Sequence, residues 1–273
     1  MVTSTRRVLV LVLSIVTLAA VSCERAPLSQ PPASEITVRV AVASSARPAL
    51  AAVVDEFAKR HTGVRIDLVG GSTAALGGQL RAGAPFDVFY AADLATPNAL
   101  VRDGVLDGDT VAVYARGELV LWLRGEAGVS PSTADDRTLR DPSIRRLALA
   151  DERTAPYGRA ARQVLARVTP HRDVVVVTGE SVEQAAQFAS TGAVDAAFLS
   201  RSHADSVSRG GGHILAIDPD WYEPLVHAGG VATRSHGAVS QAARVFHAFV
   251  LSAEGQRIIG HFGFLVAGEG EGR

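Results

Sequence analysis

Cysteine occurs once in the 273 residues, at position 23. A single thiol excludes any disulfide within the chain and any metal site built from several cysteines. Lysine is as scarce: Lys59 stands alone, and the other basic residues are arginine. With 27 basic and 28 acidic residues the formal net charge is −1, too near neutrality to mark a nucleic-acid partner. The eight histidines, among them His61, His203 and His247, nowhere show the two-His helical spacing beside a catalytic Glu that a zinc enzyme needs. Long apolar runs are missing except for Val8–Val21, which is too short for a membrane span. No internal repeat is present. What is abundant is alanine, glycine and valine in short alternating blocks, on a chain long enough to bury its own core as one large domain or two lobes.

The amino terminus has the order of a secretory signal over residues 1–22: Arg6 and Arg7, then the uncharged run, then small residues. The run ends in Ala20-Val21-Ser22-Cys23, which resembles the bacterial lipobox, with alanine where leucine is usual three positions before the cysteine. The expectation is lipidation of Cys23 and a membrane-anchored lipoprotein of the periplasm or cell surface. Removing the signal takes away two arginines and no acid, so the net charge moves from −1 to −3. Residues 23–35, with Pro27, Pro31 and Pro32, read as a polar tether.

From Ile36 onward, β-branched apolar runs alternate with alanine-rich helical segments, the pattern of an α/β protein with mostly parallel strands. Strands are expected at 38–43, 64–69, 86–91, 119–124, 146–150, 174–177, 194–199 and 213–217. Helices are expected at 47–61, 75–82, 94–103, 160–168, 182–191, 238–251 and 253–262. Four strand-to-helix junctions share one character: Ala43-Ser44-Ser45-Ala46, Gly70-Gly71-Ser72-Thr73, Thr154-Ala155-Pro156-Tyr157-Gly158 and Thr178-Gly179-Glu180-Ser181-Val182. Each puts hydroxyls or glycine where a helix begins, and there unpaired backbone N–H groups and the positive end of the helix dipole attract anions. Helix capping explains any one of them. The set of four, two from the first half and two from the middle, points to two lobes facing across a cleft.

The same segments carry a family resemblance. Val40-Ala41-Val42-Ala43-Ser44-Ser45 resembles the opening of the molybdate-binding proteins of ABC importers. Gly71-Ser72-Thr73-Ala74-Ala75-Leu76 and the run from Gln79 to Phe89 are similar to that family's second segment, and Ala82-Gly83-Ala84-Pro85 through Ala91-Ala92-Asp93 is the most distinctive stretch. Ala150-Asp151 with Pro156-Tyr157-Gly158 resembles its third segment, and Ser252-Ala253-Glu254-Gly255-Gln256 through Phe262-Gly263-Phe264 resembles the closing helix and turn common in the wider class of solute-binding proteins. The resemblance implies a two-lobed type II periplasmic binding fold, with mixed, mostly parallel sheets and two hinge crossovers. Lobe 1 is expected over residues 36–113 plus 230–273 and lobe 2 over 114–229, with hinges at Tyr114–Glu118 and Val226–Gly230. It implies capture of molybdate or tungstate, with sulfate as the alternative within the same fold. No catalysis, no cofactor and no resident metal are implied. The implied partner is an inner-membrane ABC permease, and the chain is expected to be monomeric.

Carried over by position, the oxyanion contacts fall on Ser45 and Thr73 in one lobe, and on the backbone amides of Tyr157 and Val182 in the other. Ser72 is a secondary candidate. Ser200 stands where the family has a tyrosine hydroxyl, a departure, since serine cannot reach as far. A site made only of N–H and O–H donors suits a fully ionised dianion, because a proton on the ligand finds no acceptor.

Other constellations are weaker. Gly70-Gly71-Ser72-Thr73-Ala74 is one glycine short of a nucleophile elbow; a serine hydrolase using Ser72 would need Asp195 with His227 or His236. Asp87 and Asp93 read as structural carboxylates at strand ends. Trp122, Trp221 and Tyr222 read as packing residues, since an oxyanion offers nothing to stack on. The tyrosine cluster of an iron site and the aromatic and acidic cleft of a sugar site are not evident.

Overall fold

The computed structural model describes residues 35–125 and 133–266. The signal segment, Cys23 and nearly all of the tether lie outside the described residues. β1 (Ile36–Ala43) is a β-branched run, and from Val40 onward every residue is buried, as in a strand covered on both faces. α1 (Arg47–Ala58) has Pro48 in its first turn, where no backbone N–H is needed, and buries Leu50, Val53 and Phe57 at helical spacing. β2 (Val64–Gly71), α2 (Thr73–Arg81), β3 (Val88–Ala91), α3 (Ala95–Arg102) and β4 (Ala112–Gly117) follow.

The chain then builds β5 (Leu119–Leu123), the short α4 (Asp136–Leu139), β6 (Arg146–Ala150), α5 (Pro156–Arg167), β7 (Val175–Gly179), α6 (Val182–Ser190), β8 (Ala196–Ser200), α7 (Arg201–Ser208) and β9 (His213–Ala216). It closes with β10 (Leu225–Val231), α8 (Gly237–Leu251) and α9 (Ala253–Gly260).

Two five-stranded sheets result, ordered β2-β1-β3-β10-β4 and β7-β6-β8-β5-β9. In the first, β1 runs parallel to β2 and β3, and β10 runs antiparallel to β3 and β4. The second repeats the scheme: β6 is parallel to β7 and β8, and β5 antiparallel to β8 and β9. This is the two-lobed type II arrangement. The sheets part at Glu118 and within residues 217–224, so Tyr114 lies inside β4 and Val226–Gly230 inside β10, both strands of the first sheet. β10 is held there by antiparallel pairing on both sides, which its two glycines hide from a propensity reading. A Cβ on Gly229 would stand 2.4 Å from Cδ1 of Tyr90, so the strand needs bare backbone where it passes that ring.

The first sheet has a core on each face. Alternation along β3 sends Val88 and Tyr90 to the side covered by α1, α8 and α9, and Phe89 and Ala91 to the side covered by α2 and α3. Phe57 anchors the former, edge-on to Phe246 at 5.2 Å between centroids; full burial of one such ring stabilises by roughly 1.5–3 kcal/mol. The second sheet's core, around Leu121, Leu149 and Phe198, reaches across to Ala43 and Ala92 of the first lobe. The lobes are therefore packed together at the carboxyl ends of their parallel strands. Among the described residues no helix is long and apolar enough to cross a membrane.

Candidate functional site

Ligands of parallel α/β sheets bind beyond the carboxyl ends of the strands, and here those ends converge from both lobes on one closed cavity. Its wall is formed by Ala43 to Ser45 after β1, Gly71 to Thr73 after β2, and Ala92 after β3. The second lobe supplies Ala155 to Tyr157 at the start of α5, and Val182 at the start of α6. The cavity volume is about 10 Å³, far below the roughly 300–1,000 Å³ of pockets for organic ligands. Larger depressions of about 510 Å³ between α6 and α7 and about 630 Å³ beside α5 belong to the second lobe, and one of about 550 Å³ at the rim, lined by Arg81, Asp93 and Arg102 on one side and Arg159 and Glu223 on the other, is rich in charge. No charged side chain lines the closed cavity.

Its polarity comes from neutral donors. Tyr157 and Val182 sit in the first turns of α5 and α6, where backbone N–H groups have no intrahelical acceptor. Of the four junctions, only Ser181 caps its helix, accepting from the amide of Gln184 at 3.3 Å. Ser72 stands at the N-cap of α2 without a side-chain cap bond, and neither the turn at Ser44–Ala46 nor α5 has one. Capping therefore does not account for the hydroxyls at the cavity. Ser45 Oγ is buried with no hydrogen-bond partner, a costly state for a polar atom that calls for a ligand or another explanation. Thr73 Oγ1 accepts from the amide of Ala92 at 3.1 Å, so its own proton remains to be donated.

Polar contacts hold the lobes together around this wall. The amide of Ala74 donates to the carbonyl of Thr154 at 3.0 Å, and Ser202 Oγ donates to the carbonyl of Ser45 at 3.0 Å. Arg47 pairs with Glu183 at 3.2 Å and Arg159 with Asp93 at 2.8 Å. The cleft is closed.

The structure thus brings Ser45, Ser72, Thr73, Tyr157 and Val182 to one cavity. Ser200 is not in its wall: the hydroxyl, buried at the end of β8, lies 2.8 Å from His203 Nδ1 and 3.2 Å from Ser202 Oγ. The Tyr157 ring points to β4 and β10. Its hydroxyl is 3.4 Å from His227 Nε2, and His227 Nδ1 is 3.2 Å from the Tyr114 hydroxyl. Burial pushes both phenols well above their ordinary pKa and lowers His227 to about 3. Ala92, which orients Thr73, and the Ser202 contact carry no sequence signal beyond their place after a strand.

The residues nominated for other chemistry are occupied elsewhere. Asp195 accepts from the amides of Arg145 and Arg146, away from His227 between its two tyrosines. Asp87 accepts from the Arg39 amide and the Ser235 hydroxyl, while Asp93 also accepts from the Thr96 amide at the start of α3. Trp122 Nε1 donates to the Gly211 carbonyl, and Tyr222 accepts from the Leu119 amide. Among the described residues no group of three or more His, Cys, Asp or Glu could hold a metal ion.

Comparison with known proteins identifies the family. The family model for bacterial extracellular solute-binding proteins matches residues 38–265. The molybdate-binding protein ModA of Azotobacter vinelandii is 32% identical over 83% of this chain and 89% of its own length. Its namesake from Rhodobacter capsulatus is 28% identical over 84% of this chain and 93% of its own. Among solved structures, the periplasmic molybdate-binding protein of Azotobacter vinelandii superposes with a TM-score of 0.72 at 25% identity, covering 84% of this chain and 99% of that one.

Proposed function

Because the chain belongs to the bacterial extracellular solute-binding proteins, we propose that it captures molybdate, or tungstate, outside the cytoplasm and delivers it to an ABC importer. The observation that carries this reading is the buried, unpartnered hydroxyl of Ser45 in a cavity walled by neutral donors from both lobes. Ser45 and Thr73 donate through their hydroxyls, Tyr157 and Val182 through their amides, and Ser72 supplements them. Ser200, expected at the ligand, acts behind the wall instead.

Charge complementarity here needs no cation. Helix dipoles and directed N–H groups stabilise a dianion whose four oxygens only accept, and they do so more strongly in a dry cavity than in water. A ligand that keeps a proton leaves it without an acceptor, which costs about 1–3 kcal/mol and disfavours phosphate. Closing the lobes over the ion selects the conformation that a permease recognises. The relatives' names supply molybdate as the ligand class. Residues 1–22 act as the export signal, and a lipid on Cys23 tethers the mature chain beside its permease.

Thermal unfolding with molybdate, tungstate, sulfate and phosphate tests the assignment, since a ligand that binds only the native state raises the melting temperature. Molybdate and tungstate are expected to raise it and phosphate to leave it unchanged; stabilisation by phosphate alone refutes the reading. Lipidation is tested by fractionation: Cys23→Ser releases an anchored protein into the soluble fraction and leaves an unanchored one where it was.

A further inference from the structure

We propose that Ser202 and His203 are positioning residues for the anion site. They complete a one-way hydrogen-bond chain, His203 Nδ1–H to Ser200, Ser200 O–H to Ser202, Ser202 O–H to the Ser45 carbonyl, which fastens the second lobe to the Ser45 turn. The inference rests on reading the cavity as the oxyanion site.

The direction of the chain follows from proton counting. A carbonyl only accepts, so in the 3.0 Å contact between Ser202 Oγ and Ser45 O the proton is that of Ser202. Each hydroxyl has one proton. The 3.2 Å contact between Ser200 and Ser202 must then use the proton of Ser200. With that proton committed, the 2.8 Å contact between Ser200 Oγ and His203 Nδ1 is a hydrogen bond only if the imidazole carries its proton on Nδ1. In the opposite tautomer either the bare Nδ1 faces a lone pair of Ser200, or Ser200 turns its proton to Nδ1 and leaves the two serine oxygens facing each other with no hydrogen between them. His203 is buried and close to Arg47, both of which hold it neutral by lowering its pKa to about 4. It must therefore adopt one tautomer at neutral pH.

Two observations separate this chain from ordinary capping. Ser200 is the N-cap of α7 yet makes no side-chain cap bond. The terminal acceptor lies on the other lobe, 157 positions away in sequence, on the residue whose own hydroxyl is buried and unpartnered at the cavity. The last bond therefore exists only when the cleft is closed. A short serine pair thus does indirectly, by holding Ser45, what a longer side chain at position 200 would do by touching the ion.

The test combines titration with histidine nitrogen spectroscopy. In the molybdate-bound wild-type protein, His203 is expected to show a protonated Nδ1 and a bare Nε2. Ser202→Ala frees the Ser200 proton to point at Nδ1, so the ring should switch to the Nε2–H form, and molybdate affinity should fall roughly three- to tenfold, the range of one neutral hydrogen bond. Ser202→Thr, which restores the hydroxyl, should recover both. A bare Nδ1 in the liganded wild type, or unchanged affinity in Ser202→Ala, overturns the proposal. Failure of the wild-type protein to bind molybdate overturns the functional reading itself and is seen in the first titration, before any variant is compared.

Discussion

Arg159 and Asp93 form an ion pair across the two lobes, 2.8 Å apart, at the edge of the closed cavity. Arg159 sits two positions after Tyr157 on α5, and Asp93 directly follows Ala92, so each partner adjoins a residue of the cavity wall. An ion pair between the lobes is lost if they part, so under the proposed function it is expected to add to the apparent affinity of an ion held between them. Half-exposed pairs contribute about 0.2–1 kcal/mol. Asp93→Asn, which keeps an acceptor for the Thr96 amide, is expected to weaken anion binding roughly two- to fivefold. The difference should shrink at high salt, measured by calorimetry at two ionic strengths.

Ser45→Ala separates binding from folding. Its hydroxyl has no partner within the protein, so removing it leaves the unliganded melting temperature nearly unchanged. A lost hydrogen bond to a charged ligand is worth about 1.5–3 kcal/mol, or roughly ten- to hundredfold in affinity. A large loss of unliganded stability would return Ser45 to a purely structural role.

Thr73→Val is expected to behave differently. It removes a proposed ligand donor and also strands the Ala92 amide, which donates to Thr73 Oγ1. A buried orphan N–H costs about 1–3 kcal/mol. Thermal melts of the unliganded protein should therefore fall for Thr73→Val and hold for Ser45→Ala, while titration shows both weakened.

Acid should destabilise the fold through its buried imidazoles. His203 is lowered from 6.5 to about 4 and His227 from 6.5 to about 3, chiefly by burial. As pH falls below 6.5 the unfolded chain takes up these protons and the folded chain does not, so stability is fully present above 6.5 and declines below it. Each group contributes at most about 1.4 kcal/mol per pH unit in that window, ending near pH 4 for His203 and near pH 3 for His227. Denaturant unfolding of His203→Asn should show a shallower decline between pH 6 and pH 4 than wild type.

Periodicity made most of the fold legible. The strand expected at 146–150 is β6, and the helices expected at 182–191 and 238–251 are α6 and α8 to within a residue at each end. What was hidden lacks a local signal. α7 (Arg201–Ser208) buries only Ser202, His203 and Ala204, so no apolar stripe announces it. β10 owes its place to pairing with β3 and β4 and to the space that Gly229 leaves for Tyr90. The cavity was more legible than the lobe boundaries, because helix starts rich in hydroxyl and glycine are a local feature. Ser200 lies at a strand end as expected, and the short reach noted for serine there fits its hydroxyl meeting Ser202 and His203 and not the cavity wall. Those contacts depend on the closing of one lobe over the other, which no spacing along the chain records.

The central claim is most directly tested by calorimetric titration of the mature, unlipidated chain with molybdate and with phosphate at neutral pH. One molybdate bound per chain, with phosphate giving no binding, is the predicted result. Binding of phosphate but not of molybdate contradicts it.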